Sequence, residues 1–572
     1  MRPSALQNEG LPVNDENPQM LVLGYHGSLR PDVATGSEDA TTHGLSEKEA
    51  AVSIASPPQL DLLIAPLLAN ALRTLESRLP GKQRVFAGEQ IPWDGLLELL
   101  RRRLQDLLTL TIAAHIETPD HSTPHTEREL PQKFPVLASL LQQAASEWVT
   151  ASVTVHERLQ RDASRLAEWL GVASLPPVKS ISATTSDTHP GGHVVLRIVF
   201  HGGRCVYYKP RAVTGEWLWR SLIESVADAD PALGLPAARV LPGGNSGRYG
   251  WVESVIAPNS VQRNVDKSIG GPQYWHAAGA MLCLAYHACL TDLHLGNIIA
   301  TPSGPAVTDA ECLGAPRVLA TQAIGNTRDN TEHGAFLESL LDTGLLPGRP
   351  TRNLPDVSGL FGTAGSVPGL RLPQWSLQPD GRYRLTMTPA YLLDHGNKPG
   401  DASPLTAMPH LLEGYRRASK ALLRARKALL HSRSRWRSVL ERQHAPRIVV
   451  RETFRYGLLL SRSLEPAQLR SEQQRRNLLL DALQKDAPAT FPKALLRAEL
   501  HSLLHLHVPR LILLPGTRTL AGNSGRSLVG NFAICTPVEE VVHRLEELSE
   551  QRLESVHVPA LLLAAFRAGG MS

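Results

Sequence analysis

Cysteine is scarce. The chain of 572 residues holds five, Cys205, Cys283, Cys289, Cys312 and Cys535. No two have the Cys-x-x-Cys spacing of a structural zinc site, and an odd number makes a poor disulfide framework. Cys283 and Cys289 flank an apolar helical pattern and read as buried free thiols. A strong charge imbalance is also missing. The 59 basic and 54 acidic residues leave a net charge of +5, too little to argue for a nucleic-acid partner. No run reaches the ~18 uninterrupted apolar residues of a membrane span. The opening "MRPSALQNEGLPVNDENPQM" lacks the basic and apolar regions of a signal peptide, so a cytoplasmic location is the default. Apolar residues are present at 42%. That suffices for a sizeable core, in several domains or in one large two-lobed body.

Along the chain, residues 1–55 are rich in Ser, Thr, Gly, Asn and acids and show little periodicity. They are expected to be disordered. Residues 56–178 carry helical periodicity, as in "LDLLIAPLLANALRTLESRL" and "WDGLLELLRRRLQDLLTLTIAAHI". Residues 179–343 change character. "HVVLRIVF", the turn "HGGR" and "CVYYK" predict a β-hairpin, and "YWHAAGAMLCLAYHACL" predicts a buried helix. Residues 344–405 are dense in Pro and Gly and read as a long loop or insertion, and residues 406–572 return to helices.

The stretch "TDLHLGNIIATPSGPAVTDAE" (Thr291–Glu311) has polar clusters at both ends of two short apolar runs joined by a Pro/Gly turn. A hairpin there brings Asp292, His294 and Asn297 beside Asp309. That set suits phosphoryl transfer: one carboxylate orients or deprotonates a hydroxyl, and Asn297 and Asp309 offer hard oxygen ligands to Mg2+. Lys209, on the second strand of the upstream hairpin, suits the phosphates of ATP. Arg211 reads as a local structural charge.

Two further clusters exceed the needs of an alcohol kinase. "SDTHPGGH" places Asp187 and His189 before a Pro-Gly-Gly reversal. "PRIVVRETFRYGLLL" carries Arg447, Arg451, Thr453 and Tyr456. On one helix Arg447 and Thr453 would lie about 240° apart. If they act together, the segment is an extended piece running into a helix.

The blocks "SDTHPGGHVVLRIVFHGGRCVYYKPRAV", "TDLHLGNIIATPSGPAVTDAECL", "DTGLLPG", "LLEGYRRAS" and "PRIVVRETFRYGLLLSRSLEP" resemble, in order, those of the dehydratase domain of class II lanthipeptide synthetases (LanM). "DLHLGN" alone also resembles small-molecule kinases of the aminoglycoside phosphotransferase type. The LanM resemblance implies an α+β fold that is mostly helical, with a lipid-kinase-like two-lobed core and extensive added helices. It implies that ATP phosphorylates Ser or Thr of a ribosomal precursor peptide and that the phosphate is then eliminated, giving dehydroalanine or dehydrobutyrine. Lys209, Asp292, His294, Asn297 and Asp309 fall on the family's kinase residues. Asp187, His189, Arg447 and Thr453 fall on those linked to elimination.

The chemistry of elimination fits those types. Arg447 can grip phosphate with two parallel hydrogen bonds, and a histidine can act as acid or base near neutral pH. The implied partners are a precursor peptide with its leader and other maturation enzymes of the pathway. The family's C-terminal cyclase, whose zinc uses Cys and His, is not expected here, because only Cys535 follows Thr453. Glu452 stands where the family usually has proline. Residues Glu413–Arg442 hold ten basic against two acidic side chains. They read as a solvated helix face, with a groove for an acidic leader as the alternative.

Overall fold

Apolar residues spaced three, four and seven apart fold the first part of the chain into helices that bury one face each. The structure is a computed structural model. It describes residues 29–31, 57–79, 85–116, 126–184, 188–255, 270–318, 332–348, 356–362, 365–378, 380–392, 403–485, 487–488 and 490–568. After β1 (Leu29–Pro31) comes α1 (Pro58–Arg78), which buries Leu60, Ile64, Ala71 and Leu75. A short hairpin, β2 (Val85–Phe86) and β3 (Glu89–Gln90), leads to α2 (Asp94–Ile116), α3 (Thr126–Lys133) and α4 (Pro135–Leu170).

Five strands follow: β4 (Val178–Ala183), β5 (Leu196–Phe200), β6 (Cys205–Lys209), β7 (Val240–Pro242) and β8 (Gly250–Glu253). They form one antiparallel sheet in the order β4–β5–β6–β8–β7. The predicted β5–β6 hairpin is present, in register from Leu196 opposite Tyr208 to Val199 opposite Cys205. The sheet and the first helices share a core that includes Leu100, Leu104, Phe200, Tyr208 and Trp251. Asp162 of α4 is buried at this junction. Its carboxylate accepts from the Tyr249 hydroxyl and the Trp251 indole N–H, each at 2.8 Å. A carboxylate can stay in such a place only with donors of this kind.

The sheet is followed by α5 (Thr214–Ala229, between β6 and β7), α6 (Pro272–His287), the hairpin β9 (Ile298–Thr301) and β10 (Gly304–Val307), and α7 (Glu332–Leu341). Next come β11 (Gly365–Leu377), β12 (Tyr383–Leu392), α8 (Pro404–Leu430), α9 (Arg435–Arg442) and α10 (Thr453–Arg462). The chain closes with α11 (Glu472–Lys485), α12 (Lys493–Leu504), strands β13 (Leu511–Leu513), β14 (Leu520–Gly522) and β15 (Ser527–Val529), and helices α13 (Pro537–Glu547), α14 (Glu550–Arg552) and α15 (Val558–Ala568). The result is a mixed helix-and-sheet fold. α6 is buried on every side, as its apolar run implies. It crosses α8 so closely that a Cβ on Gly279 would lie 1.8 Å from the Leu411 carbonyl oxygen. Cys283 and Cys289 are buried and free.

Three expectations meet a different outcome. Part of residues 344–405 is not loop: β11 and β12 form a long antiparallel hairpin, with Leu372 opposite Thr388 and Trp375 opposite Leu385. Leu29–Pro31, inside the segment expected to be disordered, pairs with Ala390–Leu392; the rest of residues 1–55 lies outside the described residues. The basic stretch of α8 and α9 is only partly a solvated face. Arg417 pairs with Asp230 at 2.7 Å and Arg416 with Glu554 at 2.8 Å. Arg426 donates to the Leu545 and Leu548 carbonyls, and Arg437 to that of Leu430. These side chains fasten α8 to its neighbours, because carboxylates and helix-end carbonyls lie opposite them. Among the described residues no helix is long and apolar enough to cross a membrane.

Candidate active site

The hairpin β9–β10 assembles the first half of the site. It runs in register from Ile298 opposite Val307 to Thr301 opposite Gly304. The Thr308 amide donates to the Asn297 carbonyl at 2.9 Å, which closes the base of the hairpin. The two polar ends of the sequence stretch therefore meet. Asp292 sits at φ 65°, in the left-handed region that Asp tolerates better than most residues. The Asn297 amide donates to the Asp292 carbonyl at 2.8 Å and holds this turn. The His294 ring braces the same loop: Nδ1 accepts from the Gly296 amide at 3.1 Å, and Nε2 lies 3.3 Å from Asn297 Nδ2. Burial pushes the Asp292 carboxyl up from its ordinary value, which makes it a stronger base.

Lys209, at the end of β6, supplies the second half. Its Nζ lies 2.8 Å from Glu216 Oε1, 2.7 Å from the Thr308 carbonyl oxygen and 3.4 Å from Asp309 Oδ2. Glu216 is in the first turn of α5, whose start is pressed against the loop after β10. A Cβ on Gly215 would lie 2.2 Å from the Ala310 carbonyl oxygen. His444 pins the same junction, its Nδ1 2.9 Å from the Thr214 hydroxyl and its Nε2 2.7 Å from the Leu313 carbonyl oxygen. Burial pushes His444 down to about 4, so a neutral ring donates to the carbonyl and accepts from the hydroxyl.

Arg211, read from sequence as a local charge, is instead central. Its guanidinium reaches Glu216 at 2.7 Å, Asp309 at 2.6 Å and Glu311 at 3.0 Å. Its location two residues past the end of β6, between three carboxylates, is a tertiary fact that local pattern does not carry. Arg447 joins from the other side, Nη1 to Glu311 Oε1 at 2.7 Å, with its amide donating to the Glu311 carbonyl at 2.8 Å. Arg510 approaches Glu311 Oε2 with Nε at 3.2 Å and Nη2 at 3.1 Å. Burial alone would raise the Glu311 carboxyl, but Arg211, Arg447 and Arg510 outweigh it and hold it well below the usual range.

His189 faces the same cluster. The Pro-Gly-Gly reversal is present: the His189 amide donates to the His193 carbonyl at 2.8 Å, and Gly191 and Gly192 take φ of 83° and 75°. Burial pushes His189 down to about 3, and Arg447, Arg510 and Arg211 act in the same direction against Glu311. The ring is thus neutral at physiological pH. Its Nδ1 is shielded from solvent and has no hydrogen-bond partner among the described residues. Asp187 lies outside the described residues.

The Arg447–Thr453 segment is extended and then helical, the conformation expected if the two residues act together. Arg447 pairs with Ile512 in an isolated bridge and Thr453 opens α10. Thr453 is half-buried, and among the described residues no hydrogen bond or ion pair joins it to the Glu311 cluster. Arg451 and Tyr456 turn away from the site to Glu499, at 2.8 and 2.6 Å. Glu452 takes φ −53°, within the range of a proline ring, so the backbone keeps the path that proline would impose.

The structure therefore brings together Lys209, Asp292, His294, Asn297, Asp309, His189 and Arg447. It adds Glu216, Glu311, Arg211, Arg510 and His444. Glu216 had a faint signal, an acid in the first turn of the first helix after the lysine strand. Arg510, in "HVPRLILL", had none. Asn297 uses its amide N–H groups within the loop, which leaves its side-chain oxygen open to a ligand, whereas the Asp309 carboxylate receives Arg211 and Lys209. Among the described residues no group of three or more His, Cys, Asp or Glu is gathered to hold a metal ion.

Comparison with known proteins gives two findings. Residues 134–512, more than half of the chain, match the family described as Domain of unknown function (DUF4135). A lacticin 481/lactococcin biosynthesis protein, LcnDR2 of Lactococcus lactis subsp. lactis, is 20% identical over 368 residues. That match covers 62% of this chain and 38% of the relative.

Proposed function

The chain belongs to the DUF4135 family, a LanM-type dehydratase-region family, and from that premise we propose that it dehydrates Ser and Thr of a ribosomally made precursor peptide in two steps at one site. The family resemblance read from the five sequence blocks is borne out. The two-step chemistry is our reading, and one observation carries it. Glu311 joins the residues suited to phosphoryl transfer (Lys209, Asp309 and Arg211) to those suited to holding a departing phosphate (Arg447 and Arg510) in one unbroken ion-pair network.

In the first step Asp292, its carboxyl raised by burial, takes the proton of the attacking hydroxyl. Lys209, held by Glu216, positions the phosphates of ATP. Asn297 and Asp309 would hold magnesium, which supplies charge neutralisation for the transferred group. The antiparallel β4–β8 sheet that carries Lys209, followed by the β9–β10 hairpin that leads to Asp309, is the part of the fold from which we read the lipid-kinase-like arrangement that the resemblance implies.

In the second step the peptide's α-proton goes to a base and the C–H electrons form the Cα=Cβ bond. The Cβ–O bond breaks, and its electron pair leaves on the phosphate. Arg447 stabilises that charge. His189, neutral and with an unpartnered Nδ1, is placed to accept a proton or a hydrogen bond. Burial first, and then the arginines, depress it; incoming phosphate offsets the arginines and strengthens it as a base.

The test is mass spectrometry of the chain incubated with ATP, magnesium and the neighbouring precursor peptide. Loss of the mass of water from the peptide supports the proposal. Addition of phosphoryl groups that never leave would reduce the site to a kinase, and no change to the peptide would favour the alternative, a small-molecule or lipid kinase of the aminoglycoside-phosphotransferase type. In the Thr453→Ala variant phosphorylated peptide should accumulate.

A further inference from the structure

Four cations, Lys209, Arg211, Arg447 and Arg510, contact three carboxylates, Glu216, Asp309 and Glu311. The cations are not equivalent. Arg211 is saturated by all three carboxylates. Arg447 and Arg510 reach only Glu311 among them, from opposite sides, Arg447 on Oε1 and Arg510 on Oε2. Arg510 sets both Nε and Nη2 on a single oxygen. That fork matches two oxygens better than one.

The backbone explains why two residues so far apart in sequence meet. Arg447 pairs with Ile512, the Ile448 amide donates to the Leu511 carbonyl, and the Leu513 amide to the Pro446 carbonyl. Side chains two apart on a strand share a face. Arg510, two before Ile512, therefore projects to the side of Arg447. Asn523, exposed beyond β14, holds Arg510 Nη1 at 3.2 Å from outside the cluster.

We propose that Arg510 is a second phosphate-gripping arginine of the elimination step, and that Glu311 occupies the position of the phosphate oxygens until the phosphorylated side chain arrives. This rests on the two-step reading above. As the Cβ–O bond breaks, the leaving group gains negative charge on oxygens that two opposed guanidinium forks can hold at once. The phosphate then takes up one proton, from the base or from solvent, and departs as hydrogen phosphate. Glu311 returns to the arginines and closes the cycle.

The experiment separates the steps. A precursor peptide with a chemically installed phosphoserine is incubated with the full chain and ADP, so that no new phosphorylation takes place. The same variants are run with ATP and unmodified peptide. Arg510→Ala should slow elimination by ~10²-fold and let phosphopeptide build up, while phosphorylation changes far less. Arg510→Lys keeps the charge without the fork and should recover only part of the rate. Asn523→Ala leaves the cluster intact, guards against misfolding of Arg510→Ala, and should slow elimination several-fold.

If the unaltered chain dehydrates peptide and elimination by Arg510→Ala stays within about twofold of it, the inference falls and the two-step reading stands. Equal loss of both steps in Arg510→Ala, with Asn523→Ala unaffected, also overturns it, since Arg510 is then structural. An unaltered chain that neither phosphorylates nor eliminates overturns the reading and the inference together.

Discussion

Two buried carboxylates, Glu311 and Glu499, receive arginines from one short stretch of chain. Arg447 goes to Glu311 and Arg451, one helical turn's worth of residues later, to Glu499, at 2.7 and 2.8 Å. Glu499 meets a single arginine and the Tyr456 hydroxyl, and Arg451 stacks over the Phe491 ring at 4.9 Å. Burial outweighs these partners and raises the Glu499 carboxyl. Three arginines hold the Glu311 carboxyl far down. Glu499 is a balanced pair packed in apolar surroundings, a device of structure. Glu311 receives three arginines: Arg211 is shared with Glu216 and Asp309, while Arg447 and Arg510 reach Glu311 alone of these three carboxylates. Two arginines on one carboxylate leave a place for another anion.

The sharpest way to break the comparison is at the metal-suited end of the Glu311 network. Asp309→Ala, or Asn297→Ala, should abolish peptide-dependent ATP consumption, measured as ADP release. Near-normal turnover in both variants would remove the phosphoryl-transfer role from the network.

The balanced pair should respond in stability. Arg451→Ala leaves Glu499 buried and uncompensated, which costs about 3–5 kcal/mol. Chemical denaturation should show this loss, with both reaction steps falling in proportion to the folded fraction. A step-specific loss of elimination would move Arg451 into the site.

Arg447→Ala should show the opposite signature. Glu311 keeps Arg211 and Arg510, so the fold survives. Elimination should slow by ~10²-fold and phosphorylation far less, read as phosphopeptide by mass spectrometry. Unchanged dehydration places Arg447 outside the chemistry.

The smallest effect is a pH slope. Burial pushes His444 down to about 4 in the folded chain, from 6.5 ordinarily. Between these values the unfolded chain binds a proton that the folded chain refuses, so stability falls as pH drops from 6.5 toward 4. Glu216 and Glu311 have depressed folded values, and their contribution is lost below the ordinary glutamate value of 4.5. His189, His287 and His557 are buried and lowered as well and add to the same slope, so His444→Gln should make it shallower by one histidine's share and leave the lower limb in place. Denaturation midpoints across this range measure it, and an unaltered slope would rule out a contribution from His444.

Much of the site's first half was legible in sequence, because it is local. The β9–β10 hairpin was announced by two short apolar runs around "PSGP", and it determines that Asp292, Asn297 and Asp309 meet. Lys209 followed from the alternation of "CVYYK" after a Gly-Gly turn. The break between Arg447 and Thr453 was suggested by the Val-Val pair and by helix geometry on the condition that the two act together. The β11–β12 hairpin was hidden, because Pro and Gly density there masked the strands "RLPQWSL" and "YRLTMTPAYL".

By itself, then, the sequence determined the elements and those residues that a single turn or hairpin brings together, since period and turn chemistry act over a few residues. Only the tertiary structure decided that Arg211, Glu216, Glu311, Arg447 and Arg510 form one network. Arg510 and Glu311 are 199 positions apart, and Arg447 and Glu311 are 136 apart. An ion pair has no period and no turn signature. Its partners are chosen by which strands and helices pack side by side, and by the need to compensate every charge that this packing buries.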